Sequence, residues 1–183
     1  MRRRTVLVGA VTPLVLVLTG CGSDNPKPSR PASSSASPSA SPSDVAPTMP
    51  AEAKGTGPEA AKAFVKHYIA TLNYAAVSGD TTGLRRLYSR SCTFCEGISD
   101  GFDRVHVNGG SIKTNGWRVR HLDAGAGSSA IKVLASVNVT PQVVLLKAGT
   151  KPKKFDGIPN AKRRFSLSAS GGSWSLTNLE VVR

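Results

Sequence analysis

The stretch Phe165-Ser166-Leu167-Ser168-Ala169-Ser170-Gly171-Gly172-Ser173-Trp174-Ser175-Leu176-Thr177-Asn178-Leu179 decides the fold. Apolar and polar side chains alternate on both sides of Gly171-Gly172, and a Gly-Gly connection between two alternating runs is a β-hairpin signal. With that turn, Ala169 faces Trp174 and Leu167 faces Leu176, so apolar meets apolar across the pair. The second arm then changes phase: Trp174 and Leu176 are even-numbered, Leu179 and Val181 odd. One extra residue near Thr177-Asn178 restores the face, which predicts a β-bulge there.

Upstream of the hairpin the same period of two recurs. Trp117, Val119 and His121 share one face. Ile131, Val133, Ala135, Val137 and Val139 alternate with Lys132, Leu134, Ser136, Asn138 and Thr140, and Val143 to Leu146 is apolar on both faces. Before residue 110 the period is helical. Thr56 reads as a cap, Pro58 fits a first turn and Glu59 takes the capping-box position. Ala61, Phe64, Val65, Tyr68, Ile69, Leu72 and Ala76 form one face, with Lys62, Lys66 and Asn73 on the other. Ser78-Gly79 ends that helix, and Asp80 caps a short second one carrying Leu84 and Leu87. A third follows at Phe94, Ile98, Phe102 and Val105 and stops at Asn108-Gly109-Gly110. Helices followed by antiparallel strands predict an α+β fold, with the N-terminal helices packed on a curved antiparallel sheet.

The first fifty residues are of another kind. Arg2, Arg3 and Arg4 precede a short apolar run, Thr5 to Leu18, broken by Pro13. A bilayer-spanning helix needs about 20 apolar residues, so residues 1–20 read as an export signal. Leu18-Thr19-Gly20-Cys21 closes the run. Residues 22–50 hold nine Ser and seven Pro with no apolar period, which predicts a disordered tether over 21–50 and a folded domain over 51–183. Of the formal charge of +13, +10 falls on residues 51–183. A domain so charged favours anionic surroundings.

Leu18-Thr19-Gly20-Cys21 resembles the lipobox of bacterial lipoproteins. The resemblance implies that Cys21 is lipidated and becomes the first residue of the mature chain, held at the extracytoplasmic face of the cell membrane. The order of helices and strands resembles the cone-shaped nuclear-transport-factor-2-like fold, in which a long first helix and a curved sheet enclose a pocket. More narrowly, the lipobox, the Ser/Pro tether, Phe64-Val65-Lys66-His67-Tyr68 with Leu72-Asn73-Tyr74, Ser78-Gly79-Asp80 and Cys92-Thr93-Phe94-Cys95 together resemble an uncharacterised family of actinobacterial lipoproteins, domain of unknown function 6318. That resemblance covers roughly residues 50–183 and implies placement, not an activity.

With Cys21 lipidated, Cys92 and Cys95 remain, and an even remainder in an exported protein points to a disulfide. Cys92-Thr93-Phe94-Cys95 is also a C-x-x-C, so a redox dithiol or half a metal site stands beside the structural staple. A metal site needs further ligands, and His67, His106 and His121 are scattered, so no metal or other cofactor is expected. Isomerase-type relatives of the fold use an acidic base and phenolic or acidic donors in a pocket. Tyr68, Asp103 and His121 are the candidate pocket-lining residues, with His106 beside them. Asp100 and Asp103 stand three apart on one helix face, which suits a solvated face better than paired acid–base work. No catalytic constellation is complete.

Lys147, Lys151, Lys153, Lys154, Lys162, Arg163 and Arg164, against Asp156 alone, read as one long basic loop able to meet anionic lipid or acidic wall polymer. Nucleic acid is a poor partner outside the cell. The reading that follows is a membrane-anchored, extracytoplasmic lipoprotein displaying a non-catalytic binding or scaffolding domain. Its alternatives are a pocket-containing isomerase- or dehydratase-like enzyme and a docking partner of another envelope protein.

Overall fold

Among the described residues, a 3-10 turn (Ala51–Ala53) and three α-helices lead into seven strands: α1 (Pro58–Ser78), α2 (Thr82–Arg85), α3 (Thr93–Val107), β1 (Ser111–Thr114), β2 (Trp117–Ala124), β3 (Ala130–Val139), β4 (Gln142–Leu145), β5 (Lys153–Phe155), β6 (Ile158–Ser170) and β7 (Ser173–Val182). A computed structural model describes residues 45–183. They lie within the unit Ser37–Arg183. The expected export signal over 1–20, the expected lipidation site Cys21 and the expected tether up to residue 44 fall outside the described residues.

Every strand pairing is antiparallel, in the orders β1-β4-β5 and β2-β3-β6-β7. The two sheets share their chains. β1 runs on into β2 through Asn115-Gly116, β3 into β4 through Thr140-Pro141, and β5 into β6 through Asp156-Gly157. The arrangement is thus three strands creased along one line. Thr140 pins the crease: its N–H (3.1 Å) and its hydroxyl (3.0 Å) both donate to the Gly116 carbonyl. Glycine is required at Gly116, where φ is +74° and an added Cβ would sit 2.4 Å from the Asn73 amide.

α1 packs on β2 and β3. Phe64, Val65, Tyr68, Ile69 and Leu72 are buried against Ile131, Val133, Val137, Phe165, Leu167 and Leu176. Tyr68 meets Phe165 edge-on, with ring centroids 5.9 Å apart. A second cluster, Ala76, Val105, Ile112 and Val144, joins the ends of α1 and α3 to the small sheet.

The hairpin has the expected register. Ala169 pairs with Trp174 and Leu167 with Leu176. Gly171 and Gly172 both take positive φ, the backbone that a two-residue hairpin turn requires. Ser166 pairs with Asn178 while Leu167 pairs with Leu176, so Thr177 is the extra residue of the bulge. Its hydroxyl donates to the Ser166 carbonyl (2.9 Å). α3 ends as expected, with Gly109 left-handed and the Gly109 and Gly110 N–H groups donating to the His106 and Val105 carbonyls.

Five expectations are corrected. The N-cap of α1 is Gly57 at φ +98°, not Thr56, and no side chain caps it. Asn73 is buried rather than outward: its Nδ2 donates to the Trp117 carbonyl (3.0 Å) and its Oδ1 accepts from the Trp117 N–H (2.8 Å). Phe94 is 43% exposed, and the buried side chains at the start of α3 are Cys92 and Cys95. Val119 pairs with Val137 but His121 with Ser136, so Arg120 is an extra residue that throws His121 out of phase and into solvent. The basic run is not one loop: Lys153 and Lys154 lie on β5, and Lys162, Arg163 and Arg164 on β6.

Candidate functional site

The polar residues that suggested chemistry are drawn into structure. Arg85 of α2 reaches Asp100 (2.7 Å) and Asp103 (2.6 Å) of α3, and Asp103 also accepts from the Thr81 hydroxyl (2.8 Å). These two carboxylates raise the guanidinium's proton affinity, Asp100 first. Burial works against the charge on Asp103, but the Arg85 and Thr81 hydrogen bonds outweigh it and hold the carboxyl below its usual value. His106 donates from Nε2 to the Ala76 carbonyl (3.0 Å), one of the free carbonyls at the end of α1. Its ring fills the space where a Cβ on Gly79 would stand. Tyr68 is wholly buried in the core, and burial pushes its phenol up. Of the three expected pocket-lining residues, therefore, Tyr68 is core, Asp103 is an ion-pair partner and His121 is exposed.

Cys92 and Cys95 form a disulfide across the first turn of α3, with Cα atoms 5.3 Å apart. Both are wholly buried. Closing so short a loop is worth about 2 kcal/mol.

His67, on α1, is also buried and its pKa is lowered by desolvation. The Thr71 hydroxyl donates to the His67 carbonyl (2.9 Å), so its oxygen can only accept from the imidazole. The folded state thus prefers neutral His67. As pH falls below the unfolded value of 6.5, the unfolded chain takes up a proton the folded chain resists, so stability drops until the folded pKa is passed. Thermal melts at pH 7.5 and 5.5 should show a smaller loss for His67→Gln than for the parent; equal losses would remove His67 from the account.

What the fold does build is a cleft of about 160 Å³ in the angle of the crease. Leu72, Asn73 and Ala76 of α1 and Ile98 and Phe102 of α3 roof it; Thr114, Gly116, Trp117, Val139 and Gln142 form its floor. The walls are mostly apolar, with hydroxyl and amide groups at Asn73, Thr114 and Gln142 and no titratable side chain in the lining. The sequence does not show it because its floor is made at the crease, by two chain crossings about 25 residues apart. Beyond the cleft, Arg163 stands on the inner sheet face with its guanidinium carbon 5.3 Å from the Trp117 ring centroid. It is buried, not a surface contact, and burial lowers its pKa. Arg164 pairs with Glu180 across the strands (3.1 Å), and Lys162 bonds the Ser136 hydroxyl. Of the seven basic residues, Lys147, Lys151, Lys153, Lys154 and Lys162 are exposed, and Arg164 is half-buried. No group of three or more His, Cys, Asp or Glu side chains converges as a metal site among the described residues.

Fold and cleft together define a small α+β domain whose helices cover one side of creased, open antiparallel sheets. The chain belongs to a family of unknown function, DUF6318, whose model matches residues 30–178. No curated protein matches it. Among solved structures it is similar to the intermembrane space region of the chloroplast protein ARC6, at TM-score 0.51 and 14% identity, covering 74% of this chain and 98% of that one. It also matches Aln2 from a Streptomyces species (TM-score 0.40, 12% identity, 68% and 90% covered). A third match is a calcium/calmodulin dependent protein kinase II association domain, described as putative, from Xanthomonas campestris (TM-score 0.35, 16% identity, 67% and 84% covered). At these identities the first likeness speaks of fold alone.

Proposed function

We propose that this protein is an extracytoplasmic lipoprotein, anchored to the cell membrane through Cys21, whose cone-like domain of nuclear-transport-factor-2 type binds a small apolar group without catalysis. The cleft carries the binding role: its lining pairs apolar walls with neutral polar groups and offers no titratable acid or base. A volume near 160 Å³ suits one aromatic ring or a short branched chain. Isomerase- or dehydratase-like chemistry finds no proton-transfer group there. Leu18-Thr19-Gly20-Cys21 supports the anchor.

Two experiments test the two halves. Titrating the chain with indole or toluene should shift resonances of Trp117 saturably, and Val139→Phe, which fills the floor, should abolish the shift. A parent chain that shows no saturable response would end the binding role. For the anchor, Cys21→Ser should move the protein from the membrane fraction to the soluble or uncleaved precursor pool; a variant that still fractionates as an acylated membrane protein would remove Cys21 from the account.

A further inference from the structure

We propose that the β4–β5 hairpin, with the adjoining end of α3, is a contact surface for anionic lipid headgroups of the bilayer to which the chain is tethered; this deepens the lipid-anchor reading and rests on it. A hydrogen bond ties the two parts of the surface together, above the cluster that packs α3 on the small sheet. The Ala148 N–H, in the turn after β4, donates to the carbonyl of Asn108 at the end of α3 (3.3 Å). Val107 immediately precedes Asn108 and is 85% exposed; Leu146 stands two residues before Ala148 and is 44% exposed. Two aliphatic side chains are thus left in water at a joint that the fold fixes.

Around them the charge is one-sided. Lys147, Lys151, Lys153 and Lys154 are all exposed, and Asp156 is the only acid from Gln142 to Lys162. The ion pairs found among the described residues use Lys62, Arg85 and Arg164, and none uses these four lysines. Lysine on a short edge strand also blocks edge-to-edge association, which accounts for Lys153 and Lys154 on β5. It does not account for Lys147 and Lys151, which lie off the strands, or for exposed Val107 and Leu146. A soluble polyanion would engage the lysines alone. A bilayer surface engages both, because aliphatic side chains gain by entering the headgroup–acyl boundary while lysines meet the negative leaflet.

Reach allows the contact. The chain enters the domain beside the β6–β7 turn, where the Gly55 N–H donates to the Gly172 carbonyl (3.1 Å). The proposed surface lies at the other end of α1, whose 21 residues span roughly 30 Å. At about 3.3 Å per residue, a chain of the length from Cys21 to Val45 has a maximum reach of roughly 80 Å, enough to let that end turn toward the membrane.

The test uses the full lipidated chain carrying Leu146→Trp, reconstituted in phosphatidylcholine vesicles with and without phosphatidylglycerol, the acyl chains brominated. Flotation first reports the anchor. Bromine quenching of the new tryptophan, above the Trp117 and Trp174 background of the parent, then reports the contact. Quenching is expected only with phosphatidylglycerol, to weaken at high salt, and to vanish in Lys151→Gln/Lys153→Gln/Lys154→Gln, whose surface-bound to free ratio should fall on the order of a hundredfold. A chain that floats but is not quenched overturns the contact and leaves the anchor standing. Quenching indifferent to phosphatidylglycerol overturns the anionic specificity. A chain that does not float overturns both.

Discussion

Phe165→Ala should lower the unfolding free energy by about 4 kcal/mol, a large part of what a domain of this size possesses. Phe165 sits at the centre of β6 with no exposed surface, paired to Val133 on one side and Leu179 on the other, both of them buried. Its ring and that of Tyr68 from α1 meet in a T-shaped contact, so it couples helix to sheet as well as strand to strand. Alanine would remove the transfer free energy of the ring, leave a cavity that a sheet bonded on both sides cannot close, and strip Tyr68 of its aromatic partner. Urea melts followed by circular dichroism would measure the loss. Leu134→Ala on the outer face of β3, 38% exposed, is the control and should cost about 1 kcal/mol or less. Similar losses for the two variants would mean that the core does not centre on this sheet face.

Gly110→Ala should cost about 3 kcal/mol or more and act locally. A Cβ at Gly110 would lie 2.1 Å from the Leu145 carbonyl oxygen and 2.7 Å from that of Val105. Both are backbone atoms, one on β4 and one closing α3, so no side chain can swing aside. The small sheet must then separate from the helix, exposing the cluster of Ala76, Val105, Ile112 and Val144. Hydrogen exchange is the sensitive readout: amides of β1 and β4 should lose protection while those of β3 and β6 keep theirs. Unchanged protection in β1 and β4 would show that this close approach is not what holds the sheet in place.

The hairpin and its Thr177 bulge were legible because Gly171-Gly172 fixes the turn and side-chain parity fixes everything beyond it. The helix ends were legible for a similar reason, since Gly79 and Gly109 are left-handed positions that other residues resist. The Arg120 bulge was not. Trp117, Val119 and His121 alternate as well as Leu122 and Ala124 do, and only the partner strand decides where the phase breaks. Asn73 was misplaced because its partners are backbone groups 44 residues away, and no local pattern records them. Arg163 stands among basic neighbours but shares odd parity with buried Phe165 and Leu167, and that parity, not its charge, places it inside. β5 escaped because three residues with two lysines carry no strand signal of their own and are held by pairing with β4. The cleft escaped with it, since the crease exists only once β1-β4-β5 and β2-β3-β6 are aligned.

The first described turn of the chain has a mechanical consequence. Ala51–Ala53 forms a single 3-10 turn with Ala53 tucked into the core, and Gly55 is latched to the Gly171-Gly172 turn. A pull on the chain ahead of Ala51 meets this one-turn latch before it meets α1, and its few hydrogen bonds and one small buried methyl give way before a 21-residue helix does. The latch is therefore a fuse: it yields a few residues of slack and spares the crease, and the cleft within it, from the strain.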